Sequence, residues 1–152
     1  MVPNFKLSKY FSFYEMVDTG HITLRQQNWE EAVPFVWNMT RFCQDILDLA
    51  RELLGPLYVS SGFRCKALNT DIKAAPNSQH MKGLAADVDR PEWDWAAVLE
   101  NAHRLAQMYK EKGVGAKVIA ENVNGKVWIH ISKFDVTALY TGIDGVYTQQ
   151  TI

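Results

Sequence analysis

The segment KVIAENVNGKVWIHIS, residues 117–132, decides how this chain folds. Two runs rich in β-branched and large apolar residues flank Asn124-Gly125, and this dipeptide in such a setting is the strongest short signal for a hairpin turn. If these two residues form the turn, Glu121 lies opposite Trp128 and on the same sheet face as His130. The sequence therefore predicts a β-hairpin that brings an acid and a histidine to one side of a sheet.

Two helices are predicted in the N-terminal third of the chain. Ser12 and Glu15 have the spacing of a capping box, which predicts a short helix after Ser12. A long helix is expected to begin at Asn28, or at Pro34 as a first-turn residue, and to end at Gly55. Apolar residues recur along it at helical spacing and predict a buried stripe made of Phe35, Met39, Phe42, Cys43, Ile46, Leu47, Ala50, Leu53 and Leu54.

Shorter elements fill the middle of the chain. Residues 57–60 and 84–88 are apolar runs typical of short strands, and residues 65–74 between them suit a small helix. A second long helix is expected from Asp94 to Gly113, which have the residue types of an N-cap and of a C-terminal stop. Residues 133–152 give no firm assignment.

The composition is that of a globular domain, with 152 residues of which 47% are hydrophobic and 22% are charged. We therefore predict one α+β domain over residues 1–152, with a small, mostly antiparallel sheet packed by two long helices. The formal net charge of −1 offers no electrostatic footprint for nucleic acid or for an anionic membrane. No segment approaches the roughly 20 apolar residues that cross a bilayer. We expect neither nucleic-acid binding nor membrane insertion.

The N-terminal residues MVPNFK are not followed by the apolar run of a secretory signal peptide. We therefore expect synthesis in the cytoplasm. If the protein acts outside a membrane, something else must deliver or release it.

The segment SQHMKGLAAD, residues 78–87, carries the clearest chemical signal. His80 stands in a predicted loop and Asp87 in an apolar strand, and Gly83 allows the chain to turn back between them. A carboxylate in such a strand needs a metal ion or another cation to offset its lost hydration. Because the chain has two cysteines and four histidines, a metal ion would have to be held by histidine and carboxylate ligands.

A third candidate ligand is His130, which lies in the apolar strand segment VWIHIS. Two imidazoles and one carboxylate can hold a catalytic zinc ion while a fourth position stays open for water. Taken alone, a strand histidine is more often a hydrogen-bonded core residue, and a strand aspartate is more often a turn or cap partner. Together with the Gly and Ala spacing and the resemblance described next, His80, Asp87 and His130 favour a metal site.

These segments resemble a known family. The pattern Ser-x-His-x-x-Gly-x-Ala-x-Asp over residues 78–87, followed by Trp-Ile-His-Ile-Ser over residues 128–132, is similar to the zinc D-alanyl-D-alanine carboxypeptidase group of peptidases. That group includes the L-alanoyl-D-glutamate endopeptidases of phage endolysins. Residues 60–64, SSGFR, resemble the Ser-Gly-Tyr-Arg segment that precedes the first zinc ligand in the family. The resemblance extends over roughly residues 5–134.

The resemblance implies a zinc peptidase fold like that of D-Ala-D-Ala peptidases and of the hedgehog signalling domain. It implies His80, Asp87 and His130 as Zn²⁺ ligands, and Arg64 as the cation that binds a substrate carboxylate or polarises its carbonyl. The implied substrate is a stem peptide of bacterial peptidoglycan, cut by carboxypeptidase or endopeptidase action. For a chain expected to lack a signal peptide, this target implies a phage or prophage origin and action on the wall after release. We expect a monomer.

The catalytic base is where the chain departs from part of the family. Val127 and Ser132 stand at two positions where family members carry an acid. The nearest acidic candidate is Glu121, which the hairpin register places diagonal to His130, about 7–8 Å away between α-carbons. We expect Glu121 to accept a proton from water. The alternative is a solvated strand-end glutamate, because a one-residue slip in register would turn this side chain to the other face.

Two further interpretations stay open. The missing acids leave room for a domain that binds zinc without catalysis, as the hedgehog domain does. Asp89 lies two residues after Asp87 and is therefore expected on the same face of the strand. It either accepts a hydrogen bond from an imidazole or serves the turn before Arg90-Pro91. Cys65 lies close to Arg64 but has no histidine partner visible in the sequence, so we expect no thiol catalysis.

Overall fold

The structure, a computed structural model, describes residues 3–152. Over that range the α-helices span Phe13–Val17 (α1), Ile22–Ala32 (α2), Val36–Phe42 (α3), Asp48–Leu54 (α4), Lys66–Asp71 (α5) and Trp95–Lys112 (α6). The strands span Tyr58–Ser61 (β1), Ala85–Asp89 (β2), Ala116–Val123 (β3), Lys126–Lys133 (β4), Ala138–Ile143 (β5) and Val146–Gln150 (β6). This is the α+β architecture predicted from the sequence.

The strands of this part of the chain form one six-stranded sheet with the order β1-β2-β4-β3-β5-β6. Neighbouring strands are antiparallel except β3 and β5, which run parallel. The β3–β4 hairpin has the expected register, with Glu121 opposite Trp128 and Ile119 opposite His130. Both residues of the Asn124-Gly125 turn have positive φ, as a type I′ turn requires. The sequence prediction of the mostly antiparallel sheet and of this hairpin is confirmed.

The first long helical segment begins earlier than the sequence suggested. Residues 22–54 are helical throughout, because a 3₁₀ turn at Val33–Phe35 and a π-helical turn at Cys43–Leu47 join α2, α3 and α4. The prediction of a helix start at Asn28 or Pro34 is wrong. The residues of α2 are mostly polar and lack apolar periodicity, so the usual signal for a helix was missing there.

The two faces of the sheet serve different purposes. One face is buried against the helices, with α6 packed on β3, β4 and β5. Its side chains are Ala86, Val88, Val118, Ala120, Ile129 and Ile131. Because side chains alternate along a strand, the opposite face carries Asp87, Glu121 and His130. In the described part of the chain, no helix combines the length and apolar character needed to cross a membrane.

The C-terminal residues, for which the sequence gives no firm prediction, form a second hairpin. β5 and β6 pair in antiparallel fashion around Asp144-Gly145, and both turn residues have positive φ. Asp-Gly is a turn signal of the same kind as Asn-Gly. The hairpin signal is weak here because the flanking residues are mostly Thr, Gly and Gln and show little apolar alternation.

Asn28 is buried and connects three segments near the site. Its Nδ2 donates to the carbonyl oxygens of Val17 at 2.7 Å and Phe63 at 3.1 Å, and its Oδ1 accepts from the Cys65 amide at 2.7 Å. Asn28→Ala is expected to lower the free energy of unfolding by about 3 kcal/mol, because buried backbone groups lose their partners. Urea denaturation measures this change. The control Gln27→Ala, exposed on the same helix, should change it by less than about 0.5 kcal/mol, and equal losses would contradict the role of Asn28.

Candidate metal centre

The three candidate ligands meet at one point on the sheet. His80 Nε2 lies 3.4 Å from Asp87 Oδ1, and His130 Nδ1 lies 3.0 Å from the same oxygen. The two ring nitrogens are 3.3 Å apart. Donors bound tetrahedrally to zinc at about 2.0–2.1 Å are separated by about 3.3–3.4 Å. The spacing of these atoms therefore fits a zinc ion, and the three residues can hold one metal ion.

The local structure explains how residues seven positions apart reach one point. His80 lies in a 3₁₀ helix at Gln79–Lys82, where the Ser78 side chain accepts a hydrogen bond from the His80 amide. Gly83 then adopts a left-handed conformation, with φ of 70°, and turns the chain into β2. Across the β2–β4 pairing, Asp87 lies directly opposite His130. His130 thus reaches the site through the register of β4 with β2.

His80 is held in the form that binds metals. Its Nδ1 lies 2.7 Å from the carbonyl oxygen of Gly62, which must accept a hydrogen bond, so Nδ1 carries the proton. The lone pair of Nε2 then faces Asp87 and His130. The residue is only 1% exposed, and burial lowers the pKa of its imidazole. Both effects favour the neutral ligand.

Asp87 is ionised in spite of its burial. Burial alone would raise the pKa of this carboxyl, but the charges and hydrogen bonds of His80 and His130 hold it well below its ordinary value. The second carboxylate oxygen, Oδ2, lies 3.9 Å from Nη2 of Arg64. Asp87 therefore offers a charged oxygen to a metal ion and an ion pair to the neighbouring guanidinium.

Arg64 lies in the same cleft with unused donors. It is 8% exposed, and burial lowers the pKa of its guanidinium, although arginine stays charged at neutral pH. Its Nη1 donates weakly to Asn69 Oδ1 at 3.4 Å. Within residues 3–152 its buried Nε has no hydrogen-bond partner. A cation that lines the cleft is suited to receive an anionic or carbonyl oxygen.

Glu121 is buried beside the candidate metal ligands. It is 6% exposed, which contradicts its interpretation as a solvated strand-end glutamate. Burial raises the pKa of its carboxyl, and this effect is opposed by the nearby His130 and by Tyr147, whose hydroxyl lies within hydrogen-bonding reach. Burial and Glu121 together raise the pKa of Tyr147 to about 12, so its hydroxyl stays protonated. A carboxylate with a raised pKa is the type of group that serves as a general base.

The ligands, Arg64, Glu121 and Tyr147 line one open cleft of about 850 Å³. That volume is typical of a site for a small molecule or a short peptide. Trp128 forms part of the same wall, as expected for an aromatic residue on the face that carries His130.

The comparison with protein families decides the identity of the domain. The family model described as Peptidase M15 matches residues 15–132, which include all three ligands, Arg64 and Glu121. The chain belongs to the M15 family of zinc peptidases, which are D-Ala-D-Ala carboxypeptidase-like. The resemblance stated from the sequence is confirmed. No curated protein matches the chain significantly.

Membership of the M15 family makes the chain a metallopeptidase of a zinc-dependent type with a peptide substrate. The geometry of His80, Asp87 and His130 agrees with that chemistry, since a three-residue N,N,O donor set leaves a fourth position open. The roles of Arg64 and Glu121 remain predictions that their positions in the cleft support.

The lining of the cleft does not include Asp89, His21 or Cys65. Asp89 pairs with Tyr58 at the β1–β2 edge, and among the described residues it makes no hydrogen bond to an imidazole. His21 forms an ion pair with Asp71 at 3.2 Å. Cys65 is buried, and burial raises the pKa of its thiol, which is the opposite of what an activated nucleophile needs.

Tyr147 is a residue of the cleft that the sequence does not predict. The Asp144-Gly145 dipeptide is the signal that would have found it, since a hairpin there folds β6 back beside β5. Without the hairpin, nothing in the sequence connects Tyr147 with Glu121.

The position of Glu121 predicts a pH dependence. Its carboxyl faces His130 on β4, Asp87 on β2 and Tyr147 on β6, and the net effect, dominated by burial, is a pKa above the ordinary 4.5. As a base it must be ionised, so activity falls as pH drops through that pKa. We expect the Glu121 carboxyl of the metal-free protein to titrate with a midpoint above pH 4.5, measured by ¹³C NMR. A midpoint at or below 4.5 in the folded, metal-free protein would contradict the burial of this carboxyl.

Proposed function

We propose that this chain hydrolyses peptide bonds in the stem peptides of bacterial peptidoglycan, with Zn²⁺ held by His80, Asp87 and His130. The observation that carries the proposal is the cluster of three ligand atoms 3.0–3.4 Å apart in the cleft that also contains Glu121. The substrate class is supported by the resemblance of SQHMKGLAAD to the motif of D-Ala-D-Ala carboxypeptidases and L-Ala-D-Glu endopeptidases.

Glu121 performs the proton transfers of the reaction. Zinc, when bound, lowers the pKa of a water molecule towards about 7 and polarises the carbonyl that is attacked. Glu121 accepts one proton from the water molecule while the water oxygen bonds to the carbonyl carbon. The same proton passes to the amine nitrogen as the carbon–nitrogen bond breaks, so one water is consumed for each bond cut.

Arg64 orients the peptide in the cleft. Its guanidinium lies beside Asp87 and lines the cleft, where it is available to an oxygen of the substrate. A terminal carboxylate of the peptide would form a charge-assisted hydrogen bond there. A carbonyl oxygen that gains charge during the attack would be stabilised by the same group.

Purified peptidoglycan tests the proposal directly. The zinc-loaded protein is incubated with it, and the released fragments are identified by mass spectrometry. Loss of a terminal D-alanine would show carboxypeptidase action, whereas a cut between L-alanine and D-glutamate would show endopeptidase action. Either result supports the proposal, and intact stem peptides with zinc bound to the protein would overturn it.

A non-catalytic domain that binds zinc, as the resemblance to the hedgehog signalling domain implies, is the second candidate. The residues Val127 and Ser132 favour it, because they replace the acids found in many family members. The burial of Glu121 in the cleft favours catalysis instead. Stoichiometric zinc binding without cleavage of any muropeptide would support the second candidate.

A further inference from the structure

A row of four residues crosses the sheet beside the metal centre. Strand pairing places Trp128 on β4 opposite Glu121 on β3, Glu121 beside Gly142 on β5, and Gly142 opposite Tyr147 on β6. The neighbouring row contains Asp87, opposite His130 on β4. The Glu121 row therefore lies on the same face of the sheet as the row of Asp87 and His130, two residues further along the strands.

Gly142 is the gap in this row. A Cβ atom at this position would lie 2.6 Å from Cε1 of Tyr147 and 2.8 Å from Oε2 of Glu121. Both side chains therefore converge over the bare backbone of Gly142. Two strand spacings, about 10 Å, separate Glu121 and Tyr147 along the row, and the missing side chain lets the two residues reach each other across β5.

We propose that Tyr147 is a positioning residue for Glu121, and that Gly142 makes the contact possible. The Tyr147 hydroxyl donates a hydrogen bond to the Glu121 carboxylate and fixes the direction in which the carboxylate faces the cleft. A buried carboxylate needs such a donor, because it has lost its hydration. The inference rests on the proposed function in one respect only, which is that Glu121 acts as the base.

The proposal extends the site beyond the segment that the family model matches. That match ends at residue 132, whereas β5 and β6 follow it. The C-terminal hairpin thus adds a wall to the cleft and a partner to the base. The side of the cleft beyond Glu121, away from His80, is shaped by this hairpin.

Tyr147→Phe tests the hydrogen bond and keeps the ring. In the zinc-loaded protein with a muropeptide substrate, we expect kcat to fall about tenfold, the size expected for a hydrogen bond to a charged group. KM should stay within about twofold, because the aromatic wall is unchanged. The acidic limb of the kcat profile should move to higher pH, since the lost donor stabilised the ionised carboxylate.

Matched variants separate this role from a structural one. Tyr140→Phe removes a hydroxyl from the same sheet face on β5, outside the cleft lining, and is expected to leave kcat and its pH profile unchanged. Gly142→Ala would displace both the Glu121 and the Tyr147 side chains, so its kcat should fall at least as far as that of Tyr147→Phe, with thermal unfolding as a check that it folds. If Gly142→Ala does not fold, Tyr147→Phe alone decides.

A measurement without turnover distinguishes failure of this inference from failure of the proposed function. In the full-length chain, ¹³C NMR follows the titration of the Glu121 carboxyl in the wild type and in Tyr147→Phe. A higher pKa of Glu121 in the variant supports the contact even if the wild type cleaves no muropeptide. An unchanged titration, or a wild-type kcat in Tyr147→Phe, overturns it.

Discussion

The Glu121→Gln variant is expected to bind zinc as the wild type does and to turn over substrate at least a hundredfold more slowly. The amide has nearly the same shape as the carboxylate, so packing on β3 and the contact with Tyr147 are preserved. It cannot accept a proton from water at neutral pH, and proton transfer by a placed base contributes roughly 10²–10⁴ to the rate.

Steady-state kinetics with a muropeptide, together with metal analysis of the same samples, measure this effect. Asp89→Asn is the matched control, because it neutralises an acid that lies on the same face of the sheet but outside the cleft. Its turnover should equal that of the wild type. Wild-type turnover in Glu121→Gln would assign the proton transfer to another group.

The His80→Ala variant is expected to lose both zinc and activity. Removal of its ring takes away the Nε2 atom that faces Asp87 and His130, and two ligands hold zinc poorly compared with three. Zinc content should fall from one ion per chain to a small fraction, and hydrolysis should become undetectable. Metal analysis after dialysis and the muropeptide assay measure the two effects.

Because His80 is buried, its removal could also weaken the fold, so circular dichroism and thermal unfolding accompany the assay. His130→Ala provides a second test at a less buried ligand. His21→Ala is the control, since this exposed histidine pairs with Asp71 away from the cleft. Full zinc content and hydrolysis in a folded His80→Ala protein would show that the ligand assignment is wrong.

The features predicted correctly are those fixed by local chemistry. Asn124-Gly125 fixes the hairpin turn, and the period of two along a strand then places Glu121 and His130 on one face. Asp94 and Gly113 cap α6 as their residue types predict. These signals act over a few residues. The grouping of His80, Asp87 and His130 as ligands was implied by the family resemblance, because the β2–β4 pairing that brings Asp87 opposite His130 has no local signal.

The features missed depend on contacts between distant segments. The polar helix α2 is held in place by the tertiary contacts of Asn28 with Val17, Phe63 and Cys65, and it has no apolar stripe of its own. The pairing of β5 parallel to β3 brings Gly142 beside Glu121, and no local pattern shows which strand a C-terminal hairpin will join. The same lack of a local signal hid Tyr147.

The most direct test of a single catalytic zinc site is a titration of the metal-free protein with Zn²⁺, with muropeptide hydrolysis measured at each addition. Ligation by His80, Asp87 and His130 predicts that the rate rises in proportion to zinc and reaches its plateau at one ion per chain. Hydrolysis at full rate before any zinc is added, or no hydrolysis once one ion is bound, would contradict it.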